Sequence, residues 1–181
     1  MKLRLITPYW KPDQPRRNAE LRYCDKVNAE IFDEVVMPEG RPTYLDLFKL
    51  CEPDRINVIA NSDIYFDESI KLAKGMKERE CFALTRYDNG MLWRKGHLSQ
   101  DVWIFNGAVK HELLEREVDF NLGVPGCDNR IAYEIHKAGY SVLNPSLSIK
   151  THHNHDSKFR TYDRKKEKIK PPYMLIHPIR L

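Results

Sequence analysis

Apolar positions along the chain gather into short runs, separated by longer stretches with helical spacing or by Pro- and Gly-marked turns. Leu3-Arg4-Leu5-Ile6 reads as a first strand, ended by Thr7-Pro8 and a Pro-rich, basic loop through Arg17. Over residues 18–31, Leu21, Cys24, Val27, Asn28 and Ile31 fall near one face, which predicts an amphipathic helix. Residues 34–37 form a second short apolar run before Pro38-Glu39-Gly40 turns the chain. Thr43 followed by Asp46 has the form of a capping box, and Leu47, Leu50 and Cys51 continue it as a short helix.

Residues 55–60, Arg-Ile-Asn-Val-Ile-Ala, give a strong strand signal. After a loop over 61–66, Asp67 is placed to cap a helix carrying Ile70, Ala73 and Met76. Strands are expected at 81–85, 102–105, 140–143 and 147–149, with a turn at Asp88-Asn89-Gly90 and a helix over 128–138 stopped by Gly139. Strands alternate with helices in the first half, and strands outnumber helices in the second. The pattern predicts an α/β fold: one domain over residues 1–155, its mixed, mainly parallel sheet flanked by helices. Residues 156–181 read as a basic C-terminal tail.

Composition narrows the class. With 41% hydrophobic and 31% charged residues, the 181-residue chain has the make-up of a globular domain with a proper core. No apolar run approaches the ~20 residues needed to cross a bilayer, and the N-terminus lacks an apolar signal core, so a cytoplasmic protein without a transmembrane segment is expected. Cys24, Cys51, Cys81 and Cys127 form no Cys-x-x-Cys pair, which argues for core thiols rather than structural zinc. Residues 1–149 hold 21 basic and 23 acidic side chains, and residues 150–181 hold nine and three, so the net charge of +4 sits at the C-terminal end. Such a segment suits an anionic partner, or a solvated terminus.

Chemistry concentrates where the fold class predicts it. In open α/β sheets, ligands sit beyond the carboxyl ends of the strands, and Asn61-Ser62-Asp63 follows the buried run Val58-Ile59-Ala60 directly. If the chain stays extended, Asn61 and Asp63 point the same way and offer an amide oxygen and a carboxylate to a divalent cation. Asn, Ser and Asp are also ordinary turn formers. Arg16, Arg17 and Arg86 are candidates for phosphate oxygens, which guanidinium groups pair well.

The run 58–67 resembles the DxD region of GT-A fold glycosyltransferases. Three later segments strengthen the likeness: residues 99–105 (Ser-Gln-Asp-Val-Trp-Ile-Phe), residues 125–129 (Pro-Gly-Cys-Asp-Asn), and Asn144-Pro145-Ser146 with residues 150–155. Their order is similar to that in small viral and bacterial nucleotide-sugar transferases, over roughly residues 1–155. The resemblance implies a manganese or magnesium ion on Asp63, with Asn61 in place of the usual first aspartate and His153 or His155, ahead of His152, as a further ligand. It implies that Thr7 and Tyr9 seat the nucleotide beside Arg17, Ser62 and Arg86, and that Asp101 contacts the donor sugar or acceptor. Asp128 matches the general base of inverting members, although Asp is also a favoured helix cap. The expected activity is sugar transfer from a nucleotide sugar, UDP-linked by preference, to a glycan, protein or DNA acceptor. Trp93 and Tyr87 are candidate sugar contacts, while Trp103 and Phe105 read as core. The alternatives are a nucleic-acid-binding protein or metal-dependent nuclease, suggested by the basic end and the His-His-Asn-His string, and a catalytically degenerate nucleotide-sugar-binding module, suggested by Asn61.

Overall fold

A computed structural model describes residues 1–156 and 168–181. Strand β1 (Lys2–Ile6) leads to helix α1 (Pro15–Ile31), where Pro15 occupies the first turn at no hydrogen-bonding cost. Strand β2 (Glu34–Val36) precedes α2 (Tyr44–Lys49), and α2 starts at a full capping box: the Thr43 hydroxyl accepts from the Asp46 N–H while the Asp46 carboxylate accepts from the Thr43 N–H. Strand β3 (Arg55–Ala60) is followed by β4 (Ile64–Phe66) and a 3-10 helix, Glu68–Gly75, capped by Asp67. Then come β5 (Glu80–Leu84), β6 (Tyr87–Asp88), β7 (Met91–Leu92), β8 (Val102–Asn106), α3 (His111–Leu114), α4 (Cys127–Lys137), β9 (Ser141–Leu143) and β10 (Thr151–His153).

The main sheet has the order β2-β1-β3-β8-β5-β9. Only β8 runs against its neighbours, pairing antiparallel with both β3 and β5, while β1 pairs in parallel with β2 and β3 and β5 with β9. The mixed, mainly parallel sheet expected from the sequence is therefore present. Period-two alternation sends Ile56, Val58 and Ala60 of β3, with Val102 and Ile104 of β8, to one face, and Ile59, Trp103 and Phe105 to the other. The second face is covered by α2, α3 and α4 through Tyr44, Leu47, Leu113, Ile131 and Ile135. The first is covered by Ile64, Phe66, Ile70 and Ala73. All four cysteines are buried and free, in keeping with their reading as core thiols.

A second, small sheet, β4-β10-β6-β7, lies outside the main one and corrects two sequence expectations. Residues 64–66 were expected within a loop, yet they pair antiparallel with β10, and the Asn28 side chain of α1 clamps them by donating to the Ile64 carbonyl and accepting from the Phe66 N–H. The strand expected at 147–149 is instead a turn, held by Ser148 and Ile149 N–H groups donating to the Pro145 carbonyl, and the strand follows at 151–153. Pro145 breaks the pairing, and the short apolar run after it serves only to place Ile149 in the core.

Residues 157–167, with much of the charge of the expected tail, lie outside the described residues. Residues 168–181 return to the domain: the Ile169 N–H donates to the Pro125 carbonyl, Met174 N–H to Asn129, Ile179 N–H to Asn144, and Ile176 is buried. The division expected at residue 155 thus separates from the domain a stretch that packs on it, because Ile169, Met174 and Ile176 supply apolar contacts that charge counting does not reveal. No helix among the described residues is long and apolar enough to cross a membrane.

Candidate functional site

At the carboxyl end of β3 the backbone turns. The Ile64 N–H donates to the Asn61 carbonyl at 3.1 Å, closing a tight turn across Ser62 and Asp63. The extended geometry expected for these residues is therefore absent, and Asn61 and Asp63 part company. Asn61 Nδ2 donates to Asp101 Oδ1 at 3.0 Å, while Asp63 Oδ2 meets Arg17 at 2.6 Å, His155 Nδ1 at 3.1 Å and His153 Nε2 at 3.3 Å. The ligand atoms of Asp63, His153 and His155 lie within 4.8 Å of one another. Asn61, proposed as a metal ligand from its spacing, is directed to Asp101 by the turn.

Strand β10 decides which histidines take part. His153 ends the strand facing Asp63, and the backbone beyond it, tied by the Asn154 N–H to the Asp63 carbonyl, brings His155 to the same cluster. His152 faces the other way, stacked on the Tyr65 ring at a centroid distance of 4.9 Å and bonded to Asp67 Oδ2. Arg17 reaches the cluster from the first turn of α1; its guanidinium is buried and also pairs with Glu20 and the Asn154 carbonyl. On the far side of the ring, His153 Nδ1 meets Asp88 Oδ1 at 2.7 Å. The donor set, one carboxylate oxygen and two imidazole nitrogens with one imidazole backed by a second carboxylate, fits a divalent cation. Arg17 competes for the same carboxylate oxygen and so weakens that fit without abolishing it.

Burial alone would raise the Asp63 carboxyl, but hydrogen bonds with His153 and His155 and the Arg17 charge outweigh it and hold the group well below the usual carboxylate range. For His153, burial works against protonation, and the hydrogen bond and charge of Asp63 win, so its pKa is raised. Asp101 opens β8 and is buried, with its charge met by Arg86 at 2.9 Å and by Asn61. Arg86 is stacked 5.0 Å from the Trp93 ring centroid and also forks onto Asp88.

Asp128 behaves differently. It sits in the first turn of α4, whose cap is Gly126, so capping is not its task. Burial, and secondarily the Asp101 charge, push its carboxyl up from 3.8 to about 7. Gly126 has φ +83°, and a Cβ there would lie 2.7 Å from the Ile169 carbonyl oxygen, so the C-terminal segment packs directly on the loop that presents Asp128. Next to it, the Cys127 thiol is fully buried and raised well above its ordinary value, which removes it as a nucleophile.

One cleft of about 940 Å³ gathers the site. Asn61, Ser62, Asp63, Arg17, Arg86, Asp101, Asp128, His153 and His155 are brought together there, along with Trp93. Thr7 and Tyr9 are not. Thr7 is buried with its N–H on the Val36 carbonyl, and Tyr9 is half-exposed, tied through its backbone to Pro38 and Gly40. Their place on the wall is taken by Pro8 and Trp10, whose indole N–H donates to the Ser62 hydroxyl at 3.2 Å. Backbone pairing to Val36 and Pro38 carries the alternation of β1 on through Tyr9, so Pro8 and Trp10 face the cleft in place of Thr7 and Tyr9. Arg16 stays outside, pointing to Glu20 and Asp156. Tyr87 lines a smaller neighbouring cavity with Tyr23, Tyr65 and His152. Arg41 and Lys168 also line the cleft: Arg41 is a single charge in a loop, and Lys168 belongs to the basic C-terminal stretch, whose charge gave no sign of where it packs. Comparison of the chain with protein-family models and with curated proteins yields no match in either set.

Proposed function

We propose that the chain is a metal-dependent glycosyltransferase of the GT-A type, moving a sugar from a nucleotide sugar, UDP-linked by preference, to a hydroxyl acceptor. The observation that carries this reading is the cleft at the carboxyl end of β3, where an Asp-His-His donor set, two guanidinium groups and two further carboxylates converge. The parallel order β2-β1-β3, followed by a single antiparallel strand, agrees with the GT-A reading as far as a sheet topology can.

Asp63, His153 and His155 are the residues that would hold the cation; two nitrogens in three donors suit manganese better than magnesium, which prefers oxygen. Such an ion neutralises charge on a departing diphosphate. Arg17 and Arg86, on either side of the cluster, serve the same anion through charge-assisted hydrogen bonds. Asp128, with a carboxyl raised to about 7, is matched to accept the acceptor hydroxyl proton near neutral pH. Asp101, paired with Arg86 and hydrogen-bonded by Asn61, is suited to orient hydroxyl groups.

The test is release of UDP from a panel of UDP-sugars, with and without manganese, for the wild type and Asp63→Asn. Manganese-dependent release that falls about 10³-fold in the variant is expected, the equivalent of several kcal/mol of charge stabilisation. Full activity in the variant, or indifference to a chelator, would overturn the proposal. Nucleotide binding without turnover in the wild type would favour the degenerate binding module.

A further inference from the structure

We infer that Asp88 is a positioning residue for the metal cluster: it holds the imidazole proton of His153 on Nδ1 and thereby presents the Nε2 lone pair to a cation beside Asp63. The inference rests on the metal-site reading above and deepens it.

The geometry comes from the small second sheet. Parallel pairing of β10 with β6 sets His153 directly opposite Asp88, and directly paired positions bring side chains on one face within reach. His153 Nδ1 lies 2.7 Å from Asp88 Oδ1, and its Nε2 lies 3.3 Å from Asp63 Oδ2, so the ring is strung between two carboxylates. Asp88 is itself fixed. Arg86 Nε donates to both of its oxygens, at 3.2 and 3.4 Å, and the same guanidinium donates to Asp101 at 2.9 Å. The turn that follows keeps Asp88 in place, since Asn89 and Gly90 both adopt positive φ, 49° and 78°, as a tight two-residue hairpin requires.

The chemistry follows from the two nitrogens. A neutral imidazole has one donor and one acceptor nitrogen, and the hydrogen bond at one fixes the role of the other. A carboxylate accepts only, so Asp88 holds a proton on Nδ1, while Asp63 holds one on Nε2 that a cation would displace to leave Nε2 as the ligand atom. Without Asp88 the remaining carboxylate at the ring, Asp63, favours a proton on Nε2, the nitrogen the cation needs. Carboxylates behind ligating histidines are worth about 10- to 100-fold in metal affinity.

The experiment has two readouts on purified full-length protein. Manganese affinity is measured by electron paramagnetic resonance for the wild type, Asp88→Asn and Asp88→Ala, with thermal melting as a folding control. A loss of about 10- to 100-fold is expected for Asp88→Ala. Asp88→Asn, whose amide oxygen still accepts from Nδ1, is expected to retain more affinity. Independently of any metal, nitrogen-15 NMR of His153 should report a proton held on Nδ1 in the wild type and its loss from Nδ1 in Asp88→Ala, where Asp63 is the remaining carboxylate at the ring. Unchanged manganese affinity in a folded Asp88→Ala, or a wild-type His153 with no proton on Nδ1, would overturn the inference. If the wild type binds no manganese, the metal-site reading fails by itself, and the tautomer measurement still decides what Asp88 does.

Discussion

Asp63 and Asp128 line the same cleft yet are held in opposite ways. Asp63 has a guanidinium and two imidazoles within 3.3 Å and stays ionised despite its burial. Asp128 has the Cys127 thiol as a close partner, no cation paired with it among the described residues, and another carboxylate nearby, so burial dominates and its carboxyl rises to about 7. Two aspartates of one cleft thus receive two protonation behaviours from their neighbours alone. Environments that separate the pKa values of paired acids assign them separate tasks. Here Asp63 is suited to hold positive charge, and Asp128 to exchange a proton.

Breaking the contrast at Asp128 should give the largest effect within it. Asp128→Asn removes the proton acceptor and is expected to lower sugar transfer about 10²-fold while leaving manganese affinity unchanged. In the wild type, transfer should rise with pH through about 7 as the carboxylate forms. Stability runs the other way. The folded-state pKa lies above the unfolded one, so between 3.8 and about 7 the native state holds more protons, and stability falls as pH rises through that window. Melting temperatures measured from pH 4 to 8 should therefore converge at acid pH and favour Asp128→Asn at pH 8, by an amount of the order of a few kcal/mol. A pH-independent difference between the two proteins would refute the assignment.

Exchanging Arg86 for Lys probes the bridge between Asp88 and Asp101. The fork onto Asp88 and the bond to Asp101 cannot both be kept by a single ammonium group. A loss of about tenfold in transfer rate is expected, equal to one charge-assisted hydrogen bond. Steady-state kinetics measure it, and unchanged kinetics would mean that Asp101 needs no partner. The smallest effect sharpens the picture of β10. His152→Ala, on the opposite side of the strand from the cluster, should change manganese affinity by less than about twofold, because strand alternation directs it to Tyr65 and Asp67. A loss comparable to that of His153→Ala would mean that the alternation through residues 152–153 is not what selects the ligands.

Much of the scaffold was legible in local order. The run at 55–60 became β3 with the same limits, the Thr43–Asp46 box starts α2, and the helix expected at 18–31 lies within α1, one turn shorter at its N-terminus because Pro15 was assigned to the loop. The cleft residues were harder. Asp63 was found because it follows a buried strand, but the partner role given to Asn61 depended on an extended chain, and one hydrogen bond from Ile64 turns it instead. Asp88 looked like the opening of a turn and nothing more, since its partner lies 65 residues away in the chain.

The main-sheet strands, the Thr43 cap and the Asp88-Asn89-Gly90 turn were determined by the sequence itself, because periodicity, capping and backbone preference act within a few residues of each other. The tertiary structure alone decided that His153 and His155 face Asp63 while His152 does not, that residues 168–181 pack on the loop presenting Asp128, and that two similar carboxylates titrate differently. Those outcomes depend on desolvation and on hydrogen-bond partners as far as 92 residues apart. Both are properties of the folded surroundings, and no local pattern of residues carries them.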